Sequence, residues 1–165
     1  MRTLVGLIIG VFIGVVAGHL LWRGRSETRG TGAVSAADLA AIEKLHQQDI
    51  DVTLTQDPKG LVDLWADDGV RIAPDGNAVV GKTAIGGDNA KFRAANPEFK
   101  VLKYAPDLHH FSVAIADGWA VESGTLAATF KMSAKDEPAI MNIKTVRVLQ
   151  RQADGAWKFA LVELK

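Results

Sequence analysis

The chain contains no cysteine. That excludes disulfides, iron–sulfur clusters, thiolate zinc sites and cysteine nucleophiles. It leaves the redox compartment open, because a cysteine-free domain folds in either environment. An excess of charge of either sign is also missing. The 19 lysines and arginines balance 19 aspartates and glutamates, so the formal net charge is zero. No lysine- or arginine-rich block occurs anywhere. Nonspecific nucleic-acid binding needs a basic field to release counterions, so no nucleic-acid partner is expected. There is no HxH or HExxH spacing. His109 and His110 are adjacent, and neighbouring strand residues point to opposite faces, so they cannot readily share one metal. No metal is expected. Gly86-Gly87 lacks the GxGxxG order and a preceding buried parallel strand, which argues against a dinucleotide loop. Ser123 and Ser133 lack the context of a nucleophile elbow. No cofactor is expected, and there is neither an internal repeat nor a low-complexity tract.

What is present fits one domain with an appendage: 165 residues, 48% hydrophobic and 23% charged. Leu4 to Leu21 carries no formal charge apart from a protonated His19. Eighteen helical residues reach roughly 27 Å, close to one hydrocarbon thickness. Trp22 suits the interface, and Arg23 and Arg25 stop the segment. Gly6, Gly10, Gly14 and Gly18 recur every fourth residue. On a helix they make one continuous groove that lets another helix backbone approach closely. Residues 1–22 are therefore expected to be a single-pass membrane anchor, in contact with lipid through residues 4–22 and pairing through its glycine face. The rival is a signal segment cleaved near Val16-Ala17-Gly18, which would make the product secreted or periplasmic. Which side of the cell membrane holds the body stays open. Positive-inside counting favours the cytoplasm, whereas an uncleaved signal-anchor of the usual kind would export it.

Residues 23–34 hold three arginines, three glycines and little to bury, the composition of a flexible linker. Structure resumes at 35–165. Ser35 and Asp38 form a variant capping box for a helix reaching about Gln56. Its stripe is Leu39, Ile42, His46, Asp49 and Thr53, with Leu45 and Val52 beside it. Asp57-Pro58 restarts a short helix that buries Leu61, Leu64 and Trp65 and ends at Asp67-Asp68-Gly69. A hairpin follows, Val70–Ile72 and Ala78–Val80 around Pro74–Asn77. A third helix spans about Thr83 to Ala95 and stops at Asn96-Pro97. Strands are expected over Lys100–Leu108, His109–Ala116, Trp119–Phe130, Ile140–Gln150 and Trp157–Leu164. Three Asp-Gly turn signals link this meander. Helices first and a long, mostly antiparallel sheet afterwards is an α+β layout.

Several stretches in one order carry a resemblance. They are Ile42–Asp49, Gln56-Asp57-Pro58, Leu64–Asp68, Val80-Gly81-Lys82, Trp119–Gly124, Val146-Arg147-Val148 and Asp154–Phe159. Together they resemble the nuclear transport factor 2-like superfamily, in particular its SnoaL-like and ketosteroid-isomerase-like domains. The likeness covers about Ala36 to Leu164. It implies a cone, a curved sheet wrapped around about three helices with an apolar pocket between them. It also implies a homodimer formed through the outer sheet face. The scaffold hosts isomerases, dehydratases, cyclases and noncatalytic association domains, so fold alone does not choose among them. The ketosteroid isomerases use a tyrosine from the first helix, and this helix has none, which departs from steroid-type isomerisation.

A pocket in such a cone is lined by the inner helix face and the concave sheet face. His46 and Asp49 are three apart and so share a helix face. A carboxylate beside an imidazole can orient it as a general acid or base, and the same pair can equally be a polar pair on a helix surface. Glu122 lies in an otherwise apolar strand, on a face with Ala120, Gly124, Leu126 and Phe130. It is either a third proton handler or the partner of Arg147 or Lys144. Arg147 shares a face with Ile143, Thr145 and Leu149. It can clamp an anionic ligand bidentately or close an internal salt bridge with Glu122 or Glu163. Trp65 and Tyr104 supply a ring wall and a hydroxyl, or simply pack. Two functions follow: a small-ligand-binding or association domain at the membrane, or a cofactor-free lyase or isomerase acting on a small apolar molecule.

Overall fold

The computed structural model of the chain describes residues 35–110 and 118–165, apart from the side chains of His109 and His110. The anchor expected at 1–22 with its four glycines, and the linker at 23–34, lie outside the described residues. So do residues 111–117. Among the described residues, no helix is long and apolar enough to cross a membrane.

Helix α1 spans Ala36–Thr55. It begins where the sequence places its cap: the Ser35 hydroxyl accepts from the Asp38 N–H at 3.0 Å and donates to the Asp38 carboxylate at 2.7 Å. Asp38 also accepts from Arg151 at 3.2 Å and from the Trp157 indole at 3.3 Å, which ties the start of the helix to the sheet. Gln56 ends α1 in the left-handed region, at φ 60°, and its N–H reaches the Val52 carbonyl. Asp57 then caps α2, Pro58–Asp63, with Pro58 in the first turn, where a missing N–H costs nothing. Of the expected stripe on α1, Ile42, Leu45, His46 and Asp49 are buried, while Leu39 is exposed.

Strand β1, Trp65–Ile72, starts earlier than expected. Asp67-Asp68-Gly69 does not terminate a helix but lies inside this strand. Trp65 pairs with Phe159, their rings meeting edge to face at 5.6 Å, so pairing is established before the acidic residues arrive. The register shift between Trp65 and Val70 absorbs them as a bulge. A Cβ at Gly69 would come within 2.9 Å of the Trp65 ring. Strand β2, Ala78–Val80, completes the hairpin, and α3 covers Lys82–Ala95. Strand β3 runs unbroken over Lys100–His110, where two strands parted at Leu108 were expected. Continuous pairing with β4 holds it straight through that point, from Pro106↔Leu126 to His110↔Glu122. Pro106 is tolerated because β3 is an edge strand. Strands β4, Trp119–Lys131, β5, Ala139–Arg151, and β6, Trp157–Leu164, follow.

The sheet order is β2-β1-β6-β5-β4-β3. Among the described residues only β1 and β6 run parallel, and the sheet is curved and does not close. At Gly124 a Cβ would lie 1.9 Å from the Asp107 carbonyl oxygen, so only glycine admits the close strand approach there. Ile42 and Leu45 of α1 pack with Leu64, Ala120, Leu149, Trp157, Phe159 and Val162 in one core between helix and sheet.

Candidate functional site

Helix α1 delivers two polar side chains into this core, and the sheet answers each with a different partner. His46 Nε2 lies 2.8 Å from Glu122 Oε2. Glu122, on β4, is fully buried. Asp49 Oδ2 accepts from the Tyr104 hydroxyl at 2.9 Å and from Arg147 Nη2 at 3.1 Å. Arg147 Nη2 also donates to the Tyr104 oxygen at 2.9 Å, closing a triangle between α1, β3 and β5. Glu122 and Arg147 are directly opposed across β4 and β5, and Arg147 Nη1 stands 3.9 Å from Glu122 Oε1. The guanidinium carbon sits 4.9 Å from the centroid of the Phe159 ring. Alternation explains the geometry, since Thr145, Arg147 and Leu149 all face inward.

The His46–Asp49 pair expected from helix spacing is thus split. The two share a face, as three-residue spacing requires, and each hydrogen-bonds to side chains of the sheet. Glu43 approaches His46 Nδ1 to 3.7 Å from the exposed side of the same helix.

Burial opposes the charge on Arg147, and the negative charge of Asp49, then the Tyr104 oxygen and Glu122, outweigh it, so the guanidinium holds its proton even more tightly than usual. Burial, with the Asp49 charge next, pushes the Tyr104 hydroxyl above its ordinary value. The hydroxyl is therefore a donor to Asp49 at any physiological pH. Arg147 Nε has no hydrogen-bond partner among the described residues.

A cavity of about 250 Å³ adjoins this network. Asp49, Tyr104 and Arg147 form its polar end, and His46 and Glu122 stand behind them, off the cavity wall. Leu61, Leu64, Trp65, Ile85, Leu126, Phe159 and Val162 supply apolar walls. All five residues proposed from sequence as proton handlers, clamp or hydroxyl are therefore joined, but only three of them reach the space a ligand would fill. Trp65 lines that space as a ring wall. A second depression of about 270 Å³, bordered by Ser123, Thr125, Lys144 and Lys165, contains none of the candidates. Sequence reading missed Arg71 and Asn89, which also line the cavity. Arg71 carried a signal, a lone cation in the alternating strand Val70–Ile72, the same pattern that singled out Arg147. Among the described residues, no group of three or more His, Asp or Glu is arranged to hold a metal.

No protein-family model matches the chain, and no curated protein does. Solved structures match its fold. A ketosteroid isomerase-like protein from Erwinia carotovora atroseptica superposes with a TM-score of 0.64 at 19% identity, covering 79% of this chain and 96% of the other. A nuclear transport factor 2-like protein of unknown function in nutrient uptake from Rhodospirillum rubrum gives 0.59 at 20%, covering 75% and 96%. ActVI-ORFA from Streptomyces coelicolor gives 0.64 at 15%, covering 77% and 95%. The domain has the nuclear transport factor 2-like fold. Its neighbours are of mixed and mostly unknown function, so the fold carries no reaction with it.

Proposed function

We propose that the domain binds a compact, mainly apolar small molecule, holding it by a neutral oxygen at the Asp49–Tyr104–Arg147 end of the cavity. One observation carries the reading. Polar side chains from a helix and two strands converge at one end of a cavity walled mainly by apolar side chains, the usual arrangement of a small-ligand site. Asp49 and Glu122 both compensate Arg147. An anionic group arriving there would meet two carboxylates for one guanidinium, so a hydroxyl or carbonyl oxygen suits the end better than a carboxylate.

The second reading is a cofactor-free lyase or isomerase working by acid–base chemistry. It is favoured by Asp49, a carboxylate on the cavity wall whose position is set by a tyrosine hydroxyl and an arginine. In that reading Asp49 is the proton handler, Tyr104 and Arg147 polarise the ligand oxygen, and His46 and Glu122 hold the assembly in place. The proposal also includes attachment to the membrane through residues 4–22 and a homodimer aided by Gly6, Gly10, Gly14 and Gly18. Two weak contacts on one chain reinforce each other through effective concentration.

The test uses 2-naphthol, an apolar body with one hydroxyl, titrated calorimetrically into the protein. Binding is expected, weakened about tenfold in Tyr104→Phe, which loses one hydrogen-bonding group without changing shape. Val162→Phe, checked for folding by circular dichroism, narrows the cavity and should abolish binding. Retained binding in Val162→Phe would overturn the reading.

A further inference from the structure

The cavity has a second polar region that the network above does not use. Arg71 of β1 and Asn89 of α3 line it together. Arg71 stands opposite Val162 of β6, which also lines the cavity. Depth separates this region from the first. The Arg147 side chain is 3% exposed, whereas Arg71 is 28% exposed and its partner Asp88 is 48% exposed. Arg71 therefore stands at the rim and Arg147 at the closed end.

The two arginines differ in how their charge is met. Arg147 has two carboxylates, both buried. Arg71 Nη2 donates to one, Asp88, which is half in water, so the pair is weakly held and open to competition. Arg71 Nε is buried and has no hydrogen-bond partner among the described residues. A buried donor without an acceptor is costly, and a ligand acceptor relieves that cost. The charged side chains lining the cavity are Asp49, Arg71 and Arg147.

The geometry points to Arg71, aided by Asn89, as the subsite for an anionic group, so that the ligand is an amphiphile with a carboxylate at the rim, an apolar body, and a neutral oxygen at the closed end. This rests on the cavity being a ligand site, as proposed above, and adds the ligand's charge and direction. The carboxylate accepts from Arg71 Nε and competes with Asp88 for the rest of the guanidinium. Reversed, the same molecule would press its carboxylate against Asp49.

The experiment compares three probes by calorimetry at neutral pH and low salt: 6-hydroxy-2-naphthoate, its methyl ester, and 2-naphthol. The carboxylate should bind about tenfold more tightly than the ester, the difference between a charge-assisted and a neutral hydrogen bond. Arg71→Met should remove that preference, so that the carboxylate and its ester bind alike. Asp88→Asn alters only an exposed carboxylate and should widen the preference, because it frees Arg71. Binding of all three probes with no preference for the carboxylate overturns the inference and leaves the ligand pocket intact. A preference that survives Arg71→Met overturns it as well. Failure of every probe to bind removes the pocket reading, and this inference with it.

Discussion

Tyr104 is the only tyrosine in the chain, so its ionisation can be followed without interference. Its hydroxyl is buried beside Asp49, and both factors resist phenolate formation. The folded-state value therefore lies above the ordinary 10.0. Above pH 10 the unfolded chain sheds this proton while the folded chain keeps it, so stability from this group is complete below that pH and falls as pH rises further. Phenolate absorbance should be absent from the native protein at pH values where a free tyrosine has titrated, and should appear only on unfolding. An early phenolate signal in folded protein would contradict the burial. Glu122 and Arg147 make the second test at this scale. Arg147→Met leaves Asp49 and Glu122 buried without their cation, and urea unfolding should show a loss of about 3–5 kcal/mol. Glu122→Gln keeps a hydrogen-bonding group for His46 and should cost less. Equal losses would mean that the charge of Glu122 matters as much as that of the arginine.

The periodicity of the elements was readable, and their partners were not. The cap at Ser35, the turn at Asp57-Pro58, and the last strand, Trp157–Leu164, all lie where local chemistry puts them. The inward faces of β4 and β5 followed from alternation, which brought Glu122 and Arg147 forward as candidates. That they face each other depends on strand register, and register is settled by the whole sheet. The same limit explains His46 and Asp49. Spacing gives a shared helix face, but whether each meets Glu122, Tyr104 or Arg147 depends on where a helix crosses three strands distant in sequence. Asp67-Asp68-Gly69 misled for a related reason: a turn signature was overridden by the pairing of Trp65 with Phe159. Gly124 offers the test at this scale. Alanine there must push β3 and β4 apart, and thermal or urea unfolding should show a loss of about 3 kcal/mol. A neutral result would mean that the two strands separate easily.

For the whole chain, the expectation of a paired membrane helix is independent of the cavity and has its own test. Gly10→Leu with Gly14→Leu should weaken self-association of the full-length protein in detergent or bilayers, because the glycine face can no longer admit a neighbouring backbone. Unchanged association would count against pairing through that face. The intact mass of membrane-extracted protein decides between anchor and cleaved signal, since loss of about eighteen residues would mean cleavage.

Strand β6 lies between β1 and β5. The segment synthesised last among the described elements is thus the wedge joining the early hairpin to the later meander. Until it emerges from the ribosome, β1 and β5 have no neighbour on their facing sides, and the apolar surface of Ile42 and Leu45 has no Trp157, Phe159 or Val162 to cover it. Completion of this fold is therefore expected to be a late, concerted event, and a nascent chain stalled before residue 157 should stay protease-sensitive from residue 35 onward wherever it has left the ribosome.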